Sequence, residues 1–402
     1  MLSQAQCDLI TACVPALRAH GLTLTKVFYG RMFAANPELK NIFNMSRQAT
    51  GEQQQALANA VLGYAEHIEH PEVLAPVLGI IAGKHASLGI RAEHYPIVGR
   101  HLLDAIAEVM GDAATPEVIE AWAAAYGQLA DLLIAKEREL YAAATALPGG
   151  WSGWRPFRLV RRQRESEDIM SFYLSPADGG AIPPFKPGQY VSVRTQGTDG
   201  VAQIRQYSLS DAPHEPYLRL TVKLEDGAAA APAGTVSSHL HAAVQEGQCL
   251  DLSAPQGDFT VDQSHARPLV LISGGVGVTP MASILGHLAA TQPQRRVLFL
   301  HATRHRRTHA MNDWLRKTAG AMAAAEVEVY YEQVAPDDRH GHHYDHHGRI
   351  DLASHQKLGQ FGDADYYICG PRPFMAAQVA SLAALGVDDA RIHTEVFGSA
   401  LG

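Results

Sequence analysis

Charged side chains are scarce in this chain of 402 residues: they make up 18% of it, against about 25% in an ordinary soluble domain. The formal net charge is −8, so the excess of positive charge that marks a nucleic-acid-binding protein is absent, and no nucleic-acid partner is expected. Apolar residues reach 47%, which excludes a disordered chain and favours apolar pockets for bound groups. The length predicts two or three domains.

Cysteine is also scarce, and its spacing excludes several kinds of site. The sequence contains four cysteines, none of them in a C-x-x-C pair: Cys7, Cys13, Cys249 and Cys369. Neither a disulfide framework nor a zinc or iron–sulfur site is therefore predicted. The N-terminal residues lack the basic and apolar segments of a signal peptide, and the most apolar window, residues 268–290, contains several glycines and Pro280. We expect a cytoplasmic protein without a membrane span.

The pattern of apolar residues divides the chain into three parts. The first has helical spacing, the second alternates apolar and polar residues between Gly- and Pro-rich turns, and the third alternates buried strands with helical stretches. These patterns predict, in order, an all-α domain at residues 1–146, a linker at 147–153, an antiparallel β-barrel at 154–264 and an α/β domain with a parallel sheet at 265–402.

Capping residues mark several predicted helix starts in the first part. Ser3 and Thr50 each have a glutamine three residues later, which matches the capping box. Thr115 stands before Pro116 at the head of a long predicted helix that ends near Ala144.

A glycine-rich turn follows a buried strand in the third part. Residues 274–280 come directly after the apolar run 269–272 and before a helical pattern. Such a turn can bind a pyrophosphate through backbone N–H groups and a helix N-terminus, although it can also be a tight turn without a ligand. A second turn, from Gly234 to Ser237, fits either an anion site or a plain helix cap.

The predicted strand at residues 205–208 carries a cation, an aromatic ring and a hydroxyl in close order. These groups can pair with a phosphate, stack on a planar ring and hydrogen-bond a ring nitrogen. Six segments in order resemble the ferredoxin–NADP reductase-like superfamily: Pro187-Gly188-Gln189-Tyr190, Arg205-Gln206-Tyr207-Ser208, Gly234 with Ser237, Gly274-Gly275-Val276-Gly277-Val278-Thr279-Pro280, Cys369-Gly370-Pro371 and Glu395-Val396-Phe397-Gly398.

This resemblance implies two bound nucleotides. It places NADH or NADPH at residues 274–280, with Cys369, Gly370 and Pro371 at the nicotinamide. It assigns FAD to Tyr190, Arg205, Gln206, Tyr207, Ser208, Gly234, Ser237, Glu395, Val396, Phe397, Gly398 and Ser399. Val278 departs from the superfamily, many members of which have glutamine there. This change is expected to shift nicotinamide affinity but to leave the backbone cradle intact.

The helical part carries aromatic and polar residues that each have an ordinary structural explanation. Tyr29 fits a core tyrosine, Gln53 a capping partner of Thr50, and His85 a structural histidine. Together with the segment 36–45 and with Leu57, which shares a helix face with Gln53, they resemble the globin half of the flavohaemoglobins.

The flavohaemoglobin resemblance covers nearly the whole chain and implies haem b with His85 as the iron ligand. It implies a distal pocket of Tyr29, Gln53 and Leu57, with Tyr95 and Glu137 hydrogen-bonding around His85. The remaining residues that it assigns to the haem pocket are Phe28, Phe43 and Lys84.

The implied activity is nitric oxide dioxygenation. Hydride passes from NAD(P)H to FAD and single electrons pass to haem, where O2 and nitric oxide form nitrate. Alternatives are reduction of other acceptors, such as lipid hydroperoxides, ferric or flavin compounds, a gas-carrying or gas-sensing globin, and a flavin reductase without haem. We expect O2 and nitric oxide as partners, lipid as a candidate ligand of the distal pocket, and a monomer.

Histidine is abundant, with 21 residues. A cluster between His340 and His347 is predicted to be a solvated loop rather than an evolved metal site. The basic segment 304–307 follows a buried strand and fits either a 2′-phosphate site or a basic turn, so the preference between NADH and NADPH stays open.

Overall fold

Helices fill the first part of the chain in the computed structural model, which describes residues 2–197, 200–225, 227 and 234–397. A short 3-10 helix, Pro37–Asn41, connects the second and third of these helices. The helices are α1 (Gln4–Ala12), α2 (Val14–Ala35), α3 (Met45–Thr50), α4 (Glu52–Glu66), α5 (Ala75–Leu88), α6 (Tyr95–Met110) and α7 (Pro116–Ala146).

Two of the three predicted helix starts are confirmed. Ser3 forms a capping box at the start of α1, and the Thr115 hydroxyl accepts from the Val118 N–H at the start of α7. The Thr50 prediction was wrong. Gly51 adopts a left-handed backbone with φ of 81° and separates α3 from α4, so Thr50 is the last residue of α3 and its hydroxyl donates to the Arg47 carbonyl.

Helix α7 is long and apolar enough to cross a membrane by length and composition. The bent pair 71–88 and 92–113 passes the same test only as a unit, with an angle of 102°. In this fold α7 packs against α1, α5 and α6, and its Val118 and Trp122 lie in the helical core. Its length and composition are therefore also those of a core helix.

The second part is an antiparallel sheet with one helix, as predicted. The strand order is β4-β3-β6-β1-β2-β5, and apolar side chains such as Phe157, Phe172 and Leu252 fill the interior. Its elements are β1 (Trp154–Arg164), β2 (Ile169–Pro176), β3 (Tyr190–Gln196), β4 (Ala202–Ser208), β5 (Leu218–Lys223), α8 (Thr235–Ala242) and β6 (Cys249–Ser253). Because α7 ends at Ala146 and β1 begins at Trp154, we place the linker at residues 147–153.

The third part is the predicted α/β domain, with a parallel sheet of order β10-β9-β8-β7-β11-β12. The chain runs from β7 outward to one edge and then returns to β11 on the other side of β7. Ligands bind at the carboxyl ends of strands where the order reverses, here at β7 and β11. The elements are β7 (Leu269–Gly274), α9 (Val278–Thr291), β8 (Val297–Thr303), α10 (Asn312–Gly320), β9 (Ala325–Tyr331), β10 (His346–His347), β11 (Asp365–Cys369), α11 (Arg372–Ala384) and β12 (Ile392–Glu395).

A buried ion pair of the barrel lies against the α/β domain. Arg219 Nη1 lies 3.2 Å from Asp211 Oδ2, and both side chains are less than a tenth exposed. The Arg219 guanidinium stacks 4.6 Å from the centroid of the Trp314 ring on α10, and Ser283 Oγ of α9 donates to the Asp211 carbonyl at 2.8 Å. Charge, stacking and a hydrogen bond therefore meet at one point of the interface.

We expect Asp211→Asn to destabilise this interface. The substitution leaves the Arg219 charge buried without its counterion, which lowers the free energy of unfolding by about 3 kcal/mol. The matched control is Asp251→Asn, which breaks the half-exposed pair of Asp251 with Arg194 and changes the free energy by less than about 1 kcal/mol. Urea unfolding of both variants measures the difference, and equal effects would contradict the assignment.

Candidate functional site

An apolar cavity of about 220 Å3 lies inside the helical domain. Helices α2, α4, α5, α6 and α7 all contribute to its wall, and almost all of the wall is carbon. Predicted residues that line it are Phe28, Tyr29, Phe43, Leu57, His85 and Tyr95. A pocket of this kind suits a flat apolar macrocycle with a metal, because the histidine supplies the ligand and the remaining side chains supply contact.

A buried carboxylate forms a hydrogen bond with the Nδ1 atom of the His85 ring. His85 Nδ1 lies 2.8 Å from Glu137 Oε1, and Tyr95 Oη donates to the same oxygen at 2.5 Å. Burial and then Glu137 raise the pKa of the Tyr95 hydroxyl, which keeps it a donor. Because Nδ1 is engaged, Nε2 is the nitrogen available to a metal, and the carboxylate increases its donor strength. These residues fit a haem iron.

Tyr29 projects into the same cavity from α2. Burial raises the pKa of its hydroxyl, and hydrogen bonding from the side chains of Gln48 and Gln53 opposes that effect. The hydroxyl therefore stays protonated and can donate to a small ligand. Gln53 was predicted here, but Gln48 was not. Gln48 lies on α3, and the break at Gly51 separates it from the helical spacing that links Gln53 to Leu57.

Lys84 was expected in the haem pocket, but it is absent from the cavity wall. Successive side chains on a helix point about 100° apart, so Lys84 and its neighbour His85 cannot face the same way. Lys84 instead interacts electrostatically with Arg47 and with Glu395 of β12. The residue belongs to the junction between the helical domain and the C-terminal domain.

The predicted flavin segment lies on paired strands. Tyr190 of β3 is opposite Ser208 of β4, and Val193 is opposite Arg205. Helix α8, which follows Gly234, packs against β4, so the turn at Gly234 and Ser237 comes to the same end of the barrel. Together these residues offer a cation, aromatic rings and a helix start to one ligand, as FAD would need.

The contacts of this flavin segment are polar and specific. Gln206 Nε2 donates to Ser192 Oγ at 3.3 Å, and burial raises the pKa of the Tyr207 hydroxyl. Of the C-terminal segment, Glu395, Val396 and Phe397 follow one another at the end of β12. Gly398 and Ser399 lie outside the described residues.

The two nucleotide turns lie side by side at the sheet's switch point. Strands β7 and β11 pair so that Ser273 is opposite Cys369. A Cβ atom on Gly277 would lie 2.3 Å from the Cys369 carbonyl oxygen, so only glycine allows this approach. Gly274, Gly275 and Val276 complete the turn before α9, and Gly370 and Pro371 precede α11. This cradle fits a dinucleotide pyrophosphate at the N-terminus of α9.

Val278, where many members of the superfamily have glutamine, leaves the backbone cradle intact, and the expected shift in nicotinamide affinity stays a prediction. The Val278 side chain is fully buried in the core of the α/β domain, packed with residues such as Met281, so it does not reach the cradle. Thr279 and Pro280 are buried too, and the Thr279 hydroxyl donates to the Val276 carbonyl. These three residues can serve a ligand only through their backbone. Burial and then Glu395 raise the pKa of Cys369, so it remains a neutral thiol.

Four cations converge where the three domains meet, although sequence reasoning identified only two of them as site residues. Arg47 of α3 interacts electrostatically with Lys84, Arg205 and Arg372, and burial lowers the pKa of Arg47. Carboxylates partly offset these charges, since Glu52 lies 3.8 Å from Arg47 and Glu395 interacts with Lys84. Positive charge gathered in a partly buried place also favours bound anions. Phosphates of FAD and carboxylates of haem are anions of the right kind.

Direct contacts tie α5 and its neighbours to the barrel. Ser87, two residues after His85, hydrogen-bonds the side chain of Tyr190. Arg205 Nη2 donates to Ser46 Oγ at 3.1 Å, and the Ala202 N–H donates to Asn41 Oδ1 at 2.7 Å. The cavity and the flavin segment are therefore adjacent.

The histidine cluster is only partly the solvated loop that we expected. His346 and His347 form β10 at the edge of the sheet, and His346 Nε2 lies 2.8 Å from Glu328 Oε2. His343 is buried near Asp338. No group of three metal-ligating side chains with suitable geometry occurs in the described ranges.

Within the basic segment 304–307, two of the arginines pair with carboxylates. Arg306 pairs with Asp337 at 3.3 Å, and Arg307 pairs with Glu167 of the barrel. Arg304 is exposed.

Comparison with known proteins agrees with this architecture. Residues 26–133 match the Globin family, residues 156–261 an oxidoreductase FAD-binding domain, and residues 271–380 an oxidoreductase NAD-binding domain. The flavohemoprotein of Bordetella parapertussis is 55% identical over 401 residues, covering 99% of both chains. That of Rhizobium meliloti is 51% identical over 399 residues, covering 99% of this chain and 98% of its own.

Solved structures give the same result. A flavohemoglobin from Malassezia yamatoensis with bound FAD and heme aligns with a TM-score of 0.87 and 32% identity, covering 99% of this chain and 100% of that one. The FAD/NAD-binding domain of a nitric oxide dioxygenase from Vibrio cholerae aligns with a TM-score of 0.55 and 38% identity, covering 61% of this chain and 98% of that one.

We expect Glu137→Gln to weaken the electron donation of His85 without loss of the bound group. The amide preserves the shape and removes the negative charge behind Nδ1, so the iron–histidine bond weakens. Resonance Raman spectroscopy of the reduced, haem-loaded protein should show a lower iron–histidine stretching frequency. Glu139→Gln, on the exposed side of α7 with Lys136, is the control and should match the unchanged protein. An unchanged frequency in Glu137→Gln would refute the assignment.

Glu395 should titrate near neutral pH. Burial raises its pKa to about 7 and Lys84 opposes this, while burial lowers the pKa of Lys84 to about 8. Infrared titration should show a protonated-carboxyl band that disappears as the pH rises through about 7 and is missing in Glu395→Gln.

Lys84→Met tests the electrostatic part of this pair. It removes the cation that favours the ionised carboxylate, so the midpoint should move to higher pH. A band that disappears near the ordinary pKa of glutamate, or a midpoint that Lys84→Met leaves in place, would contradict this description.

Proposed function

Because the chain belongs to the flavohemoprotein family, we propose that it uses NADH or NADPH to convert nitric oxide and O2 into nitrate. The chain is an oxidoreductase with a globin domain, an FAD-binding domain and an NAD-binding domain. Haem supplies an iron that binds diatomic gases and takes single electrons, and FAD converts the two electrons of a nicotinamide into single ones.

The observation that carries the proposal is the position of α5. His85 of the gas-binding cavity lies on the same helix as Ser87, which bonds Tyr190 of the flavin segment, and Lys84, which interacts with Glu395. One helix therefore joins the two sites that must exchange electrons. A gas carrier would not need such a junction, and a reductase without haem would not need a cavity with His85 and its carboxylate.

The reaction divides into tasks for the residues of this chain. The Gly277 turn and the start of α9 bind the dinucleotide pyrophosphate, while Tyr190 and Arg205 hold the flavin and its phosphates. His85, oriented by Glu137, would hold the iron. The two electrons of each nicotinamide support two turnovers, since nitrate formation from nitric oxide and O2 consumes one electron.

On the distal side, the Tyr29 hydroxyl supplies the electrostatic stabilisation of the gas. The hydroxyl remains protonated because burial raises its pKa, and it faces a cavity from which apolar side chains exclude most water. A donor in such a place stabilises negative charge that develops on a diatomic ligand, and it needs no rearrangement to do so. Phe43 and Leu57 narrow the space around that ligand.

We expect Tyr29→Phe to reduce nitrate formation by about tenfold or more at low O2, because the donor to the gas is lost. Reduction of the flavin by NADH should stay unchanged, since Tyr29 contacts none of the reductase residues named above. The measurement is NADH-driven consumption of nitric oxide at low O2, with nitrate counted as product. For the unchanged protein we expect one nitrate for each nitric oxide. Formation of nitrous oxide would refute the proposed reaction, and full turnover by Tyr29→Phe would refute the role of the tyrosine.

A further inference from the structure

The linker between the helical domain and the barrel is packed against the barrel core. Trp151 is 8% exposed, and its Nε1 donates to the Leu252 carbonyl of β6 at 3.1 Å. The centroid of its ring lies 5.3 Å from that of Phe157, and Ala144 in the last turn of α7 contacts the same core. A linker rich in glycine and serine is ordinarily a flexible coil. This one continues α7 directly into the barrel.

One guanidinium ties the linker to the barrel. Arg155 Nη1 donates to the Gly149 carbonyl of the linker at 2.8 Å and to the Ala181 carbonyl of the barrel at 3.1 Å. Its Nε and Nη2 atoms donate to the two carboxylate oxygens of Asp178, at 3.0 and 2.7 Å. The Arg155 side chain is 11% exposed and lies 5.4 Å from the centroid of the Trp151 ring. Because a guanidinium is a rigid planar fork, these four bonds hold linker and barrel in one geometry.

The helix that leads into the linker also contacts α5 on the side of the gas-binding cavity. Within the last three turns of α7, Glu137 bonds His85, and the Tyr141 hydroxyl donates to the Ile90 carbonyl at 2.5 Å. Ile90 follows α5 and lines the cavity. A displacement of the linker would therefore move α7 and, through these two contacts, the helix that carries His85.

We infer that Arg155 is a positioning residue for electron transfer: by fixing the linker, it keeps the gas-binding cavity at a constant distance from the flavin segment. Domains of one chain move relative to each other unless their interface prevents it. Electron transfer between two bound groups slows as the gap between them widens, so release of the linker would slow transfer and leave each site intact. The inference rests on the proposed function in taking haem as the acceptor of the flavin electrons.

Two substitutions on β1 separate this role from the general effect of losing an arginine. Arg155→Met removes the four hydrogen bonds and retains an apolar stem. Arg158→Met is the matched control, because Arg158 is exposed on the same strand and donates to the Gly247 carbonyl of the barrel. Arg155→Lys keeps the charge beside Asp178 but lacks the fork that bridges linker and barrel, so its effect should be intermediate.

The experiment mixes the oxidised full-length holoprotein with NADH in the absence of O2 and follows the flavin and haem absorbance. In Arg155→Met we expect haem reduction to be about tenfold slower, because the loss of several charge-assisted hydrogen bonds makes a displaced arrangement the commoner one. Flavin reduction should be unchanged, and Arg158→Met should match the unchanged protein. Added glycerol should slow haem reduction further in Arg155→Met alone, because only there must the domains first move together through the solvent. A general loss of stability would give no such dependence on viscosity.

Small-angle X-ray scattering of the same holoproteins measures the domain arrangement without electron transfer. The radius of gyration should increase in Arg155→Met and stay the same in Arg158→Met. Equal scattering by the two variants, or haem reduction in Arg155→Met at the rate of the unchanged protein, would overturn the inference. If the unchanged protein itself does not reduce its haem, the proposed function fails, and the scattering still decides whether Arg155 positions the domains.

Discussion

The docking of α5 on the barrel is the contact on which the rest of the molecule depends. This helix presents His85 to the apolar cavity, Ser87 to Tyr190 and Lys84 to Glu395. Successive side chains on a helix point in different directions, so the residues of one helical turn can contact the cavity, the barrel and the C-terminal strand. If α5 shifted, the gas site would lose its position relative to the flavin site, although each would remain intact within its own domain.

Electrostatics at this junction set a further constraint. The basic residues around Arg47 crowd into a partly buried place, where burial lowers the pKa of Lys84 and raises that of Glu395. Such an arrangement is unfavourable for an empty protein and favourable once anionic groups bind. Binding of the cofactors and docking of the domains are therefore expected to reinforce each other, since ligands that bind only the folded protein stabilise it.

Sequence alone was sufficient for features whose physical cause is local. The glycine turn after β7 and the cap at Thr115 are readable because backbone geometry requires those residue types. Thr50 was misassigned, because a left-handed Gly51 separates α3 from α4. Lys84 does not line the apolar cavity, because neighbouring side chains on a helix point in different directions. Gln48 was missed because it lies on α3, which Gly51 separates from the helix that carries Gln53 and Leu57. The three-domain order was predictable, and the contacts between domains were not.

The central claim is that one chain contains the whole path from nicotinamide through flavin to the gas-binding cavity. Rapid mixing of the oxidised holoprotein with NADH in the absence of O2 tests it directly. We expect the flavin absorbance to bleach first and the haem bands then to change to the reduced form. The second rate should not depend on protein concentration, because α5 holds both sites in one molecule. A haem that stays oxidised, or one reduced at a rate that rises with protein concentration, would exclude electron transfer within one molecule.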